Sequence, residues 1–248
     1  MLEAEQPVRN LDAFRQRWGD CGFEESQLRQ MWHVAESSAS HLPYHNFDHT
    51  LDTLWTAMEL VDQLEADGIE VNRRVLVGAS LFHDAAYHRS TKKNAQPAAR
   101  ESYSAKLFAK HAPAFGYDEA ETRLGKRIIK DTSHYRKPRT PESKVMIRAD
   151  IDNVSRDYEE DLLPTTHRIH EELTILGHAP AFKKHVRLST KILARYIKHD
   201  LSLGSDDGSF PEWEGHVLNN LYDLASNEAN KVPKSLLRLL GKTAINQG

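Results

Sequence analysis

The sequence predicts an all-α fold in a single domain that spans residues 1–248. Apolar residues recur at three- and four-residue steps along most of the chain, which is the spacing of one face of an α-helix. The alternation of apolar and polar residues that is typical of strands is nearly absent. The hydrophobic content of 39% and the charged content of 28% are ordinary for a globular protein. Because no repeat, low-complexity run or convincing linker divides the chain, we expect one helical bundle.

Five helices are expected up to Asp150, and each is defined by an apolar stripe. The first has Asp48 as its expected N-cap, and Gly68 marks its end. The second is largely apolar and ends at His83 and Asp84. The five stripes contain, in order, Leu51, Leu54, Trp55, Met58, Val61 and Leu64; Val75, Leu76, Ala79 and Phe82; Leu107 and Phe108; Leu124, Ile128 and Ile129; and Val145, Met146 and Ile147.

The connections between these helices are polar or rich in proline. The segment Arg89–Pro97 predicts a loop after the second helix. A third helix is expected from about Ala98 to His111, with Pro113 ending it. A loop rich in proline and arginine, Lys137–Pro141, precedes the fifth helix.

Beyond Asp150, two long apolar stripes and two shorter helices complete the expected bundle. A turn-rich loop is expected at Gly204–Pro211, and the shorter helices are expected around Leu218–Leu224 and Leu236–Leu240. The two long stripes contain Leu162, Thr166, Ile169, Leu173 and Leu176, and then Phe182, Val186, Ile192, Leu193 and Tyr196.

Charge and cysteine content exclude several classes of protein. The formal net charge of −3 indicates no clear nucleic-acid surface and no attraction to anionic membranes. Cys21 is the only cysteine, so neither an internal disulfide nor a cysteine-cluster zinc site can form. The segment Met1–Asn10 lacks the apolar core of a signal peptide, and no stretch approaches the roughly 20 apolar residues of a membrane span. We therefore expect a cytoplasmic protein with no membrane association.

Two short segments carry residues typical of a metal site. His45 and His49 are four residues apart, which places both rings on one face of a helix. His83 and Asp84 follow the end of an apolar helix. Neutral imidazole and carboxylate are the ligands that divalent cations such as Mn, Fe, Ni, Co, Zn or Mg accept in proteins. Because such a site can activate water, these residues favour a metal-dependent hydrolase.

A fourth ligand is expected from a distant helix, because His49, His83 and Asp84 supply only three. The best candidate is Asp150, which follows an apolar run and can therefore point into the bundle. Asp152 is the second choice, since residues two apart on a helix point to different faces.

The order of these residues, His, then His-Asp, then Asp, resembles the signature of the HD superfamily of metal-dependent phosphohydrolases. The run Tyr44-His45-Asn46 followed by His49 is also similar to the opening motif of cyclic-nucleotide phosphodiesterases. This resemblance implies that His49 binds metal and that His45 protonates the leaving oxygen. Histidine suits that role because its unperturbed pKa of ~6.5 is close to neutrality.

Other parts of the chain resemble a small bacterial family of predicted metal-dependent HD phosphohydrolases. Two stretches depart from that family pattern, because Asn94–Arg100 resembles an insertion and Asn153-Val154 replaces a more apolar segment. The resemblance implies an HD-domain-like helical bundle that hydrolyses a phosphate ester or nucleotide. The matching segments are Phe82–Tyr87, Glu101 with Ser104-Ala105, Thr132 with His134, Ala149-Asp150, the acidic stretch Arg168–Glu172 and the closing segment Glu228–Leu240.

Roles follow from these assignments, and two alternatives stay open. We expect His45 and Asp84 to be catalytic, with Asp84 orienting the attacking water, and His88, Glu101 and His134 to contact substrate. A di-iron oxygenase of the HD type is the first alternative, with His88 or His134 as additional ligands. A non-catalytic nucleotide-binding module is the second. Neither a His-Glu-x-x-His motif nor a glycine-rich phosphate loop is present, which excludes zincin proteases and P-loop enzymes.

Overall fold

The computed structural model describes residues 9–85, 99–133, 137–197 and 209–246, and these segments confirm the all-α class. No strand occurs in them, and none of their helices combines the length and apolar character needed to cross a membrane. A 3₁₀ turn follows α5, and a 3₁₀ turn and a π turn lie between α7 and α8. The α-helices of the described segments are α1 (Leu11–Trp18), α2 (Glu25–Ser38), α3 (Phe47–Ala66), α4 (Arg73–Phe82), α5 (Ala99–His111), α6 (Glu119–Asp131), α7 (Pro141–Asp150), α8 (Leu163–Ile175), α9 (Phe182–Ile197), α10 (Ser209–Ala229) and α11 (Lys234–Asn246).

The first two helices, which the sequence analysis did not delimit, pack against α3 through an aromatic cluster. The Phe14 ring of α1 lies 5.3 Å from Trp18, 6.0 Å from Trp32 of α2 and 5.8 Å from Trp55 of α3, centroid to centroid. Phe14 is fully buried. Tilted and edge-to-face arrangements at these distances are favourable for aromatic rings. The cluster therefore holds the middle of α3 in place.

The start of α3 differs from the sequence expectation. Its N-cap is Asn46, whose side-chain oxygen accepts a hydrogen bond from the backbone N–H of His49 at 3.0 Å. Asp48 lies inside the first turn and is exposed, so its assignment as N-cap was wrong. A cap must precede the first turn in order to reach the unsatisfied N–H groups. Gly68 adopts a φ of 77° just after the helix, as expected of a residue in the turn that ends it.

The expected starts of two other helices, α7 and α10, were also wrong. Pro141 is the first residue of α7 and not part of the preceding loop, because proline needs no N–H donor at that position. Helix α10 begins at Ser209, well before Leu218, and the buried Trp213 and Val217 extend its apolar stripe. The loop expected at Arg89–Pro97 lies outside the described residues.

The buried side chains form two hydrophobic clusters that meet along α7. The larger cluster is built by α1 to α7 and includes Met146 and Ala149. The second is built from the end of α7 through α11 and includes Ile147 and Ile151. Alternate faces of α7 thus belong to different clusters. Asp150, the last residue of this helix, is therefore placed where the two clusters adjoin.

Helices α5 and α6 approach each other closely at Gly125. A Cβ atom built on Gly125 would lie 2.5 Å from Cε1 and 2.7 Å from Cζ of the Phe108 ring. Phe108 is itself fully buried, so its ring has little room to move. Only glycine allows this spacing between the two helices.

We expect Gly125→Ala to lower the free energy of unfolding by about 1–3 kcal/mol, because the new methyl group overpacks the core against Phe108. The matched control is Gly215→Ala in α10, where no atom of the described residues outside the adjacent helix backbone lies within 4 Å of the built Cβ. That substitution should stabilise the protein by about 0.5–1 kcal/mol through helix propensity alone. Urea denaturation of both variants measures the difference. Equal effects of the two substitutions would contradict the close packing of α5 on α6.

Candidate metal centre

The structure brings together the four residues that the sequence analysis proposed as metal ligands. His49 lies in the first turn of α3, His83 and Asp84 directly follow α4, and Asp150 ends α7. One nitrogen or oxygen atom of each lies within 4.8 Å of those of the others. His49 Nε2 is 3.1 Å and His83 Nε2 is 3.4 Å from Asp150 Oδ1, while His83 Nε2 is 3.2 Å from Asp84 Oδ2. Three helix ends therefore converge on one point.

Local backbone structure fixes both histidines. The N-cap bond from Asn46 to the backbone N–H of His49 sets the start of α3 and with it the position of the His49 ring. The Nδ1 atom of His83 lies 2.8 Å from the carbonyl oxygen of Ser80, one of the carbonyls that the end of α4 leaves unsatisfied. Since a carbonyl only accepts, Nδ1 carries the proton of the neutral His83 ring and donates it to Ser80.

The tautomer of His83 provides a test of whether the cluster fits a cation. With Nδ1 protonated, Nε2 of the neutral ring presents a lone pair to the carboxylates of Asp84 and Asp150. Nε2 is buried and makes no hydrogen bond of acceptable geometry within the described segments, although both carboxylates are close. A lone pair and two carboxylate oxygens repel one another unless a proton or a cation lies between them. The donor set therefore fits a metal ion.

The electrostatics of the cluster lead to the same conclusion. Burial opposes ionisation of the two carboxyl groups, yet the adjacent imidazoles outweigh it and lower the pKa of both Asp84 and Asp150. Burial also disfavours a charged His83, but the two carboxylates together raise the pKa of His83 well above its usual value. Burial lowers the pKa of His49 despite its contact with Asp150. The cluster thus keeps its carboxylates ionised and attracts a positive charge to their midst.

Asp150 belongs to the cluster and Asp152 does not. The carboxylate of Asp152 accepts hydrogen bonds from Ser155 Oγ at 3.1 Å and from Arg156 Nε at 2.9 Å. Asp152 begins a 3₁₀ turn after α7, which directs it to this local pair of donors. The preference for Asp150 over Asp152 in the sequence analysis agrees with this geometry.

His45 lies beside the cluster and is held by a residue that the sequence analysis did not assign a role. Its Nδ1 is 2.6 Å from Glu172 Oε1, and its backbone N–H donates to Glu172 Oε2 at 3.1 Å. The Nε2 atom of His45 lies 4.0 Å from Asp84 Oδ2. Glu172 is fully buried in α8, and its pKa is lowered because the bonds from His45 outweigh the effect of burial. An ionised Glu172 therefore orients the His45 ring at the edge of the site.

Tyr44 completes this edge of the site. Its ring centroid lies 4.4 Å from that of His49 and 4.9 Å from that of His45. The hydroxyl group donates towards Asn153 Oδ1 at 3.5 Å. Tyr44 therefore packs against both imidazoles. Its position directly before His45, in the run Tyr44-His45-Asn46, was the feature of the sequence that could have indicated this contact.

The three residues expected to contact substrate have different outcomes. His88 and His134 lie outside the described residues. Glu101 lies in α5, and its Oε2 atom is buried without a hydrogen-bond partner in the part of the chain that the structure describes. Burial, followed by the charges of Asp84 and Asp150, raises the pKa of Glu101 to about 7. The pKa of Glu101 therefore depends in part on the negative charge of Asp84 and Asp150. The role of Glu101 towards substrate stays a prediction.

Substitution of one carboxylate at a time tests whether Asp150 binds metal and whether its neighbour Asp152 does not. We expect Asp150→Asn to weaken the binding of Mn²⁺ or Ni²⁺ by more than about 100-fold, since even outer-shell changes cost about 10–100-fold. The matched control is Asp152→Asn, which breaks only the local contacts with Ser155 and Arg156 and should retain wild-type affinity. Elemental analysis and calorimetric titration of untagged protein measure both variants. Equal metal content in the two variants would rule out Asp150 as a ligand.

The raised pKa of Glu101 predicts a pH-dependent effect on stability in chelator-treated protein. Folded Glu101 keeps its proton up to about pH 7, whereas the unfolded chain releases it near the ordinary pKa of 4.5. The free energy of unfolding contributed by this group therefore falls as the pH rises from 4.5 to about 7 and stays low above that. Glu101→Gln removes this loss, so its stability relative to wild type should increase by about 2 kcal/mol between pH 5 and pH 8.

Denaturant unfolding of Glu101→Gln and wild type at both pH values measures this effect. Glu36→Gln, at an exposed glutamate, is the control and should show no such change. Added Mn²⁺ should reduce the effect, because a cation offsets the charges of Asp84 and Asp150. A constant difference between Glu101→Gln and wild type at all pH values would show that Glu101 is ionised in the folded protein.

Comparisons with known proteins do not assign the chain to a family. No protein-family profile matches the sequence, and no curated protein matches it either. The resemblance to the HD superfamily therefore stays a prediction from the motif residues. The function must be inferred from the geometry of the site.

Proposed function

We propose that the chain is a metal-dependent phosphohydrolase of the HD type that hydrolyses a phosphate ester or nucleotide. The observation that carries this proposal is the convergence of His49, His83, Asp84 and Asp150 within 4.8 Å, next to a histidine held by a buried glutamate. Two imidazoles and two carboxylates form a donor set for Mn, Fe, Ni, Co, Zn or Mg. A divalent cation bound there supplies Lewis acidity and lowers the pKa of a water molecule towards neutrality.

The chain itself provides a proton donor for the leaving group. Hydrolysis breaks the bond between phosphorus and the ester oxygen, and that oxygen needs a proton in order to leave as an alcohol. In the imidazolium form His45 donates that proton from Nε2, while Nδ1–H remains bonded to Glu172. The distance of 4.0 Å between His45 Nε2 and Asp84 Oδ2 supports a role for His45 beside the proposed ligands and not as one of them.

Asp84 has a second role in the proposal besides metal binding. It lies between His83 Nε2 at 3.2 Å and His45 Nε2 at 4.0 Å, so its carboxylate spans the ligand cluster and the proton donor. An ionised carboxylate in that position accepts a hydrogen bond and can orient the attacking water.

The ligand count favours hydrolysis over di-iron oxygenation. The four grouped donors of the described residues suit one ion that keeps open positions for water and substrate. A di-iron centre needs additional ligands, and the residues proposed for that role, His88 and His134, lie outside the described residues. Metal stoichiometry distinguishes the two functions, since one redox-inactive ion per chain supports hydrolysis and two irons per chain support the oxygenase.

A substrate screen tests the proposal directly. Untagged protein is assayed with phosphate monoesters, diesters and nucleotides in the presence of Mn²⁺, Co²⁺, Ni²⁺ or Mg²⁺. We expect metal-dependent release of phosphate or of a nucleotide product that chelation abolishes. Tight nucleotide binding without product under every metal would instead identify a non-catalytic binding module. The variant His83→Ala should lose both metal and activity.

The His45–Glu172 pair predicts a dependence on the leaving group. His45→Asn should lower kcat by about 10²–10⁴-fold on an alkyl phosphate and much less on p-nitrophenyl phosphate, which needs no proton to leave. Glu172→Gln should act in the same direction, by up to about 100-fold, because the His45 ring is then less well positioned. The matched control is Glu171→Gln, which alters the exposed neighbour of Glu172.

Metal analysis accompanies these rate measurements. All three variants should retain wild-type metal content, because neither His45 nor Glu172 is a ligand in the proposal. Loss of metal from His45→Asn would make His45 a ligand. Unchanged activity of His45→Asn on the alkyl phosphate would leave it with a structural role only.

A further inference from the structure

A mainly apolar cavity adjoins the metal cluster on the side of α8 and α9. It has a volume of about 160 Å³, and its wall near the cluster is formed by Tyr44, His45 and Asp150. The remainder of the wall is mostly apolar and includes Ile151, Leu162, Ile169, Leu193 and Leu224. A cavity that touches both the proton donor and a metal ligand is positioned to hold the part of a substrate attached to the reacting phosphorus.

The size of the cavity limits what it can hold. An apolar cavity of about 150 Å³ in another protein accommodates benzene. The present cavity therefore suits a group of about one six-membered ring or a short branched chain. A nucleoside, with both a sugar and a base, is far larger and cannot be enclosed there.

Among the polar side chains in this wall, His185 stands out because a ring nitrogen is left without a partner. His185 of α9 lines the cavity and is only 4% exposed, and its Nε2 atom has no hydrogen-bond partner among the described residues. Burial, followed by the neighbouring His170, lowers the pKa of His185 to about 4, so the ring is neutral at physiological pH. A neutral imidazole nitrogen pairs with a hydroxyl group in either tautomer, because a hydroxyl both donates and accepts.

Away from the cluster, the described lining carries no charged side chain. Apart from Asp150 and the histidines, the described residues that form the wall are apolar residues, hydroxyl side chains, Tyr44 and Asn153. A charged group in the cavity would be desolvated without a compensating ion pair. The occupant is therefore expected to be neutral.

We propose that this cavity binds the alcohol portion of the substrate, and that this portion is neutral, mainly apolar, about as large as a six-membered ring, and bears a hydroxyl group that pairs with His185. This inference rests on the proposed function and narrows it from phosphate esters in general to the phosphate ester of a small alcohol. Nucleotides are then poor substrates, because their nucleoside exceeds the cavity.

Binding of two small probes tests the cavity without relying on turnover. Phenol and toluene have nearly the same size, but only phenol has a hydroxyl group. Ligand-observed NMR and calorimetric titration of the full chain, with and without Mn²⁺, should show that both bind and that phenol binds roughly three- to tenfold more tightly. Failure of both probes to bind would overturn the proposal.

Two substitutions locate the bound probe. Ser189→Phe places a ring on a residue that lines the cavity and should abolish binding of both probes. The matched control is Leu188→Phe, at the exposed neighbouring position of α9, which should bind as wild type does. His185→Leu should equalise the affinities for phenol and toluene. Thermal unfolding verifies that each variant is folded. Wild-type binding by a folded Ser189→Phe, or an unchanged preference for phenol in His185→Leu, would contradict the proposal.

Activity measurements, taken together with probe binding, distinguish failure of this inference from failure of the proposed function. For wild type, kcat/KM should be higher for phenyl phosphate than for AMP, and Ser189→Phe should lose most of the activity on phenyl phosphate while retaining its metal. Phenol binding in a protein that hydrolyses no phosphate ester would refute the proposed function and leave the cavity assignment intact. Rapid hydrolysis of AMP, together with no binding of phenol, would refute the cavity assignment and leave the hydrolase function intact.

Discussion

The close approach of two partly buried carboxylates to two imidazoles is the constraint on which this structure depends. Ionised Asp84 and Asp150 both lie close to Nε2 of the buried His83, in a pocket of the helical protein that is only partly open to water. Charges in such surroundings are costly unless an opposite charge accompanies them. The packing of α3, α4 and α7 is what holds the four side chains together. The close helix contacts and the two hydrophobic clusters therefore stabilise an arrangement that needs a positive charge between its carboxylates, supplied by the imidazolium form of His83 or by a bound cation.

The sequence was sufficient for the all-α class and for the four residues that cluster at the site, although for different reasons. Apolar residues at helical spacing predicted α3 to α9 within a few residues, because burial of one helix face leaves that periodicity in the chain. The four clustered residues were proposed together because their order in the chain resembles the HD signature, and because His83-Asp84 and Asp150 each terminate an apolar helix. Helix ends placed by regular packing can be located from sequence, and their side chains can be located with them.

Contacts between distant segments that belong to no recognised motif were the ones that sequence reasoning did not supply. Glu172 and His45 are 127 residues apart, and nothing in the spacing of either residue indicates that their side chains meet at 2.6 Å. The cavity near His185 is of the same kind, because its wall combines residues from several helices and two loops. The N-cap at Asn46 was also missed, although it is a local feature of the chain. Both Asn46 and Asp48 suit an N-cap, and only the backbone geometry decides between them.

The manner in which the helices terminate at the cluster has an electrostatic consequence of its own. Helices α4 and α7 both present their carboxyl-terminal ends to the site, whereas α3 presents its amino-terminal end. Aligned peptide dipoles give the carboxyl-terminal ends of α4 and α7 a partial negative charge and the amino-terminal end of α3 a partial positive charge. The backbone thus adds to the attraction of Asp84 and Asp150 for a cation, while the start of α3 offers a favourable field to an anionic ligand. Part of the polarity of the site is therefore set by helix direction, and no single side-chain substitution can remove it.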